Sequence, residues 1–194
     1  MPRASAARRT SAAPPVTIEA PSPRRQKEFL AAVRRSRALH GLLAAPPATP
    51  ARYKTYLRRC REGQKLGHFV VTEAGELAGV INISEIVRDI FQSGYLGYYA
   101  FEPHAGRGHM RAGLAEVLRL AFRDYGLHRV EANIQPGNAR SIALVRGLGF
   151  RHEGFSPRYL KLAGRWRDHE RWALTVEDWK ARRGLRDPLL ISPP

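Results

Sequence analysis

The stretch "GYYAFEPHAGRGHMRAGLAEVLRLAF", residues 97–122, constrains the fold more than any other. Its first part is strand-like and stops at Pro103, which has no N–H to give to a ladder. Met110, Leu114, Val117, Leu118, Ala121 and Phe122 then recur at three- and four-residue intervals, the pattern of an amphipathic helix. Between strand and helix there is room only for "PHAGRGHM". The loop is either a flexible turn or a set of N–H groups arranged for an anion. Consecutive N–H groups at a helix N-terminus favour negative charge, and Gly106 and Gly108 let a phosphate approach the backbone. Arg107 can add a charge-assisted contact. The lysine and Ser/Thr of a Walker loop are missing, and Arg111 breaks the G-x-G-x-x-G dinucleotide pattern.

The flanking segments give the loop its setting. "VTIEA" reads as a short first strand, Arg24–Leu39 as a basic helix, and Ala51 to about Glu62 as a second helix after "AAPPATP". "HFVV-TEAG-ELAGVINI" is a hairpin pattern, and "SGYLGYYAFEP" the strand that enters the loop. After the long helix, "LHRVEANI" is a strand with Val130, Ala132 and Ile134 on one face. Asn138 then caps a helix with Ile142, Val145 and Leu148 inward, closed by Gly149. "FRHEGF" and "RYLKLAGRWRDHERWALTV" read as strands turning at Ala163–Gly164, and a short helix follows around Glu177–Arg183. The expectation is one mixed α/β domain over residues 16–186, with a disordered tail at 1–15 and a second tail at 187–194.

Composition narrows the function classes. A single cysteine, Cys60, excludes an intramolecular disulfide and a Cys-rich zinc motif. No apolar run is long enough for a bilayer span, and no leucine-rich stretch follows the basic N-terminus, so the expected location is the cytoplasm and no membrane partner is expected. The net charge of +16 draws polyanions, a ribosome-associated or acidic partner among them, but serves solubility equally well. No zinc-finger spacing or recognition-helix motif accompanies it, so specific DNA binding is not expected.

Four blocks, "GYYAFEPHAGRGHM", "HRVEANIQPGNARSIALVRGLGF", "RHEGF" and "YLKLAGRWRDHERWAL", together resemble the GNAT acetyltransferases, particularly the RimJ/RimL group that acetylates ribosomal-protein N-termini. The resemblance is clear from about Gly67 to Trp179. In the family's loop, written Q/R-x-x-G-x-G/A, Gly106 and Gly108 keep the glycines, Ala105 takes the Gln/Arg position and Met110 the last small one. It implies a GNAT-like (acyl-CoA N-acyltransferase) α/β fold, a mixed sheet flanked by helices and splayed between its fourth and fifth strands. Acetyl-CoA would sit in that splay. The cofactor-binding residues it implies are Ala105, Gly106, Arg107, Gly108, His109 and Met110 at the pyrophosphate, the backbone around Tyr99, Ala100 and Phe101 at the thioester, and Asn138 and Ser141 at the pantetheine. Asn138 and Ser141 read equally well as an N-cap and a first-turn polar residue.

Acetyl transfer needs a neutral amine, a polarised carbonyl and a proton route to the thiolate. Glu131, a polar exception in "RVEANI", is the candidate base or amine-orienting group, with an ordinary place on the polar strand face as its alternative; Glu102 competes. Ser141 and Tyr159 are rival donors to the leaving sulfur, although Tyr159 can equally pack its ring. Asp168 and His169 form either a clamp near the substrate entrance or a tie holding the terminal hairpin. His104 and His109 flank the loop without a coherent third metal ligand, so no metal is expected. The expected activity is direct acetyl transfer to a protein N-terminal α-amine, such as that of a ribosomal protein. A small-molecule amine, an antibiotic or a lysine side chain is the alternative acceptor. A catalytically weak ribosome- or RNA-binding module is the alternative of another class.

Overall fold

The unbroken buried runs "HFVVT" and "LAGVINI" give the centre of the sheet two buried faces, and helices cover both. The computed structural model describes residues 13–184. The tails expected at 1–15 and 187–194 lie outside the described residues, except for 13–15, which have no regular structure. The strands are β1 (Val16–Glu19), β2 (Lys65–Thr72), β3 (Leu77–Val87), β4 (Ser93–Ala100), β5 (Arg129–Ile134), β6 (Arg151–Leu162) and β7 (Arg165–Thr175). The helices are α1 (Gln26–Arg35), α2 (Arg37–His40), α3 (Pro50–Arg61), α4 (His109–Arg123), α5 (Ala139–Leu148) and α6 (Val176–Arg182).

On one face, Phe29 and Val33 of α1 and Tyr53 and Leu57 of α3 close over Phe69, Val71, Val80 and Phe101. On the other, Leu114, Val117, Leu118 and Ala121 of α4 and Val145 of α5 cover Val70, Ile81, Ile83, Val130 and Ala132. The helix α4 lies so close to β2 that a Cβ added at Gly113 would stand 2.6 Å from a Val70 methyl.

The strand order is β1-β2-β3-β4-β5-β7-β6. All neighbours are antiparallel except β4 and β5, which are joined by the crossover through α4. The β4–β5 pairing covers only Ser93–Tyr95 against Arg129–Glu131. Beyond it β4 remains paired with β3 and β5 with β7, so the two strands part and the sheet opens between them. That is the splayed, helix-flanked mixed sheet expected from the GNAT resemblance.

Two elements differ from the sequence reading. The helix expected over Arg24–Leu39 breaks at Ser36 into α1 and α2. Ser36 is fully buried and its Oγ accepts the Glu102 N–H at 2.9 Å, while His40 Nε2 donates to Ala100 O at 2.8 Å. The break thus ties α2 to the end of β4, through contacts sixty and sixty-six residues apart in sequence. The segments "FRHEGF" and "RYLKL" fall in one long strand, β6, interrupted by register shifts at His152/Gly154 and Ser156/Leu160.

Candidate active site

The loop leaving β4 turns on Gly106 (φ +77°) and Gly108 (φ +89°), and Gly108 precedes the first residue of α4 in a left-handed conformation that favours glycine. Within the loop, His104 N–H donates to Phe101 O and Arg107 N–H to His104 O; the helix ladder begins with Ala112 N–H on Gly108 O. The N–H groups of Gly106, Gly108, His109, Met110 and Arg111 find no protein acceptor among the described residues. The first turn of α4 has no acidic residue, and the space where a Cβ of Gly106 would stand is open to 4 Å. This cradle matches what a pyrophosphate needs: free donors, a favourable helix dipole and open space at Gly106, with Pro14 packed against the other glycine, Gly108.

The loop opens on a cavity of about 500 Å³ lined by Leu39, His40, Tyr98, Tyr99, Ala100, Ala105, Gly106, Met110, Arg111, Asn138, Arg140 and Ser141 among others. A second cavity, about 420 Å³, shares Leu43, Tyr98, Asn138 and Ser141 with it and continues to Glu85, Tyr95, Asn133, Tyr159 and His169. The two are lobes of one cleft passing through the gap between β4 and β5. Phe101 N–H donates to Ala78 O at 2.8 Å, so ladder alternation turns the backbone groups of Tyr98 and Ala100 towards that gap. Ala100 O is already taken by His40, leaving the Tyr98 backbone as the free element at the narrowest point.

Residues 16–151 match the acetyltransferase (GNAT) domain family. The chain belongs to the GNAT acetyltransferases. Over 104 residues it is 42% identical to the [ribosomal protein uS5]-alanine N-acetyltransferase of Escherichia coli (strain K12), an alignment covering 54% of each chain, so it spans about half the length of that relative. In fold it is similar to Mycobacterium smegmatis RimJ in complex with CoA-disulfide (TM-score 0.77, 24% identity, 87% of this chain and 89% of that one). It is also similar in fold to Vibrio cholerae spermidine N-acetyltransferase in complex with CoA and spermine (TM-score 0.72, 17% identity, 84% and 97%).

Within this GNAT cleft the residues singled out in the sequence separate. Tyr99, Ala100, Ala105, Gly106, Gly108, Met110, Asn138 and Ser141 line the loop-side lobe. Phe101, Arg107 and His109 do not: Phe101 is fully buried against Phe29, the Arg107 side chain is exposed, and the His109 ring lies edge-on to His104. His109 still presents its backbone N–H at the head of α4. Met110 fits where the family motif has a small residue because Gly79 of β3 makes room for its sulfur. Asn138 is both cap and lining residue: its Oδ1 accepts the Ser141 N–H at 3.2 Å, and it faces both lobes. The Tyr98 hydroxyl donates to Ser141 O at 3.3 Å, and burial pushes Tyr98 up to about 12, so it stays a neutral donor.

Glu131 and Tyr159 differ in placement. Glu131 pairs across the strands with Tyr95 and accepts from Arg129 Nε at 2.9 Å, and the same guanidinium grips Glu153; Glu131 lines neither lobe. Arg129 is thereby raised and Glu153 lowered from their ordinary values, chiefly by their mutual hydrogen bond. Glu102 lines neither lobe and gives its backbone to Ser36 and Arg35. Tyr159 does reach the cleft. Asp168 accepts the Arg158 N–H at 2.7 Å, fixing Arg158 at φ +49° in a bulge that turns Tyr159 inward. Asp168 therefore shapes the hairpin rather than the cavity. The Tyr159 hydroxyl is the main cause that pushes Tyr95 up to about 12.

Sequence reasoning missed Arg111 and Arg140, which line the loop-side lobe, and His40, whose role depends on a distant carbonyl. The Arg111 side chain runs from the first turn of α4 to α5, where its guanidinium donates to Gly147 O at 3.2 Å.

Proposed function

We propose that this chain transfers the acetyl group of acetyl-CoA to the α-amine at a protein N-terminus. The observation that carries the reading is the cleft open on both sides of the sheet, with a phosphate cradle at one end and a polar cavity at the other. Acetyl-CoA supplies an acyl carbon activated as a thioester. The free N–H groups of Gly106, Gly108, His109 and Met110 hold the pyrophosphate, and Arg111 and Arg140 add positive charge beside it. Asn138 and Ser141 orient the pantetheine arm. The Tyr98 backbone N–H, turned into the gap, donates to the carbonyl oxygen as charge develops there. Ser141 Oγ is the donor to the departing sulfur, and Tyr159 orders the acceptor's entrance. Glu131, clamped by Arg129, fixes the floor at Tyr95 and orients the amine's approach through it. The likeness to the uS5-alanine acetyltransferase supports an α-amine acceptor such as a ribosomal protein N-terminus, and a cytoplasmic setting fits such substrates.

A polyamine acceptor is the second reading, favoured by the similarity in fold to the spermidine enzyme. Charge argues against it. A cavity of about 600 Å³ adjoining the cleft is lined by Arg52, Arg59 and Lys65, and Glu85 is the one carboxylate lining the acceptor lobe. Burial pushes Lys65 down, and the neighbouring Arg59 charge adds to the lowering. Initial rates with an alanine-leading peptide and with spermidine, at equal acetyl-CoA, separate the readings. The peptide is expected to be acetylated and spermidine not; faster transfer to spermidine overturns the proposal.

A further inference from the structure

We infer that His169 receives the proton of the incoming amine. The inference rests on the amine-acceptor reading above and adds a residue to it. His169 of β7 is 2% exposed, yet it lines the acceptor lobe together with Tyr95, Asn133 and Tyr159. Its Nδ1 lies 3.0 Å from Arg167 O. A carbonyl can only accept, so Nδ1 carries the hydrogen and the neutral ring keeps its lone pair on Nε2. Among the described residues Nε2 has no hydrogen-bond partner, and it is not one of the sealed polar atoms. The ring is thus oriented by one nitrogen and presents the other, an unspent base, to the cavity.

Of the carboxylates near this base, only Glu85 lines the same cavity, and Glu85 is exposed to solvent. The titratable neighbours lining the same cavity are Tyr95, Tyr98, Tyr159 and Glu85, with the Tyr159 ring 6.2 Å from the imidazole. Tyr95 stays protonated to about 12, so it is no rival base near neutrality. On β7 itself, Arg167 and Arg171 flank His169 at alternate positions, Asp168 is spent on Arg158, and Glu170 bonds the Trp172 indole. Glu131 on the neighbouring strand is held by Arg129.

The step balances as follows. An N–H bond of the ammonium breaks, its pair stays on nitrogen and the proton goes to Nε2. That pair forms the N–C bond as the C–S bond breaks with its electrons on sulfur. A second N–H proton reaches that sulfur by way of the Ser141 hydroxyl, giving amide, thiol and a protonated His169 that returns its proton to solvent.

The test uses the full chain and an alanine-leading peptide. H169Q is expected to lower kcat/KM at pH 7 by about 100-fold or more, within the usual range for a general base, with CoA affinity unchanged. Its rate should recover as pH rises through the free α-amine's own value, roughly 8. An H169Q enzyme with wild-type kcat/KM and an unchanged pH profile overturns the inference. Nitrogen-15 NMR of the imidazoles in wild-type protein gives a readout that needs neither turnover nor the variant's folding. A protonated Nδ1 with a bare Nε2 supports the assignment; the opposite tautomer overturns it. Absence of transfer by the wild type to any amine would sink the functional reading, while the tautomer result would stand separately.

Discussion

Replacing Gly106 with alanine separates backbone cost from ligand cost. Gly106 sits at φ +77°, and a Cβ there meets nothing within 4 Å, so the folded protein bears only the left-handed conformation of an L-residue. That costs about 1–2 kcal/mol. For a chain of this size the expected fall in Tm is about 2–8 °C. The added methyl nonetheless stands in the space through which a phosphate oxygen approaches the loop. Losing one hydrogen bond to a charged group costs about 1.5–3 kcal/mol, which corresponds to a rise in Kd for CoA of roughly ten- to 150-fold. Gly63→Ala is the control: Gly63 has φ +72° and equally empty surroundings, but lines neither lobe of the cleft. Calorimetric titration with CoA and thermal denaturation should show similar Tm losses for the two variants and a weakened Kd for Gly106→Ala alone. Equal CoA affinities in the two variants would refute the reasoning.

Other perturbations test the frame around the loop. Gly113→Val should lower stability by about 1–3 kcal/mol in a denaturant titration, because α4 cannot move off the Val70 methyl without opening the core. Ser141→Ala should reduce kcat in steady-state assays while leaving the Kd for CoA within a few-fold, since its backbone still accepts from Tyr98. Burial lowers His68 and His104 from their ordinary value of 6.5. The unfolded chain therefore binds more protons than the native one just below pH 6.5, and stability should fall with decreasing pH across that window. His104→Asn should flatten the slope measured by thermal denaturation between pH 7 and 5; an unchanged slope would remove His104 from the account.

The parts legible in the sequence are those governed by local periodicity. The spacing from Met110 to Phe122 found α4, the alternation in "RVEANI" found β5, and glycines between strand and helix found the anion cradle. What escaped depended on distant partners. Ser36 breaks a helix because Glu102 offers an N–H sixty-six residues away. Tyr159 and His169 stand out in the sequence as candidates, but what orients them does not: Asp168 pins the bulge before Tyr159, and the Arg167 carbonyl claims His169 Nδ1. The clamp on Glu131 was readable in principle: residues two apart on a strand share a face, and Arg129 is the natural partner there.

The most direct test of the central claim is to locate the transferred group. The chain is incubated with acetyl-CoA and a peptide bearing both a free N-terminal alanine and an internal lysine, and the product is fragmented by tandem mass spectrometry. The cleft described here predicts the acetyl group on the N-terminal nitrogen, with loss of transfer when that amine is blocked. Acetylation confined to the lysine, or acetyl-CoA left unconsumed, would contradict it.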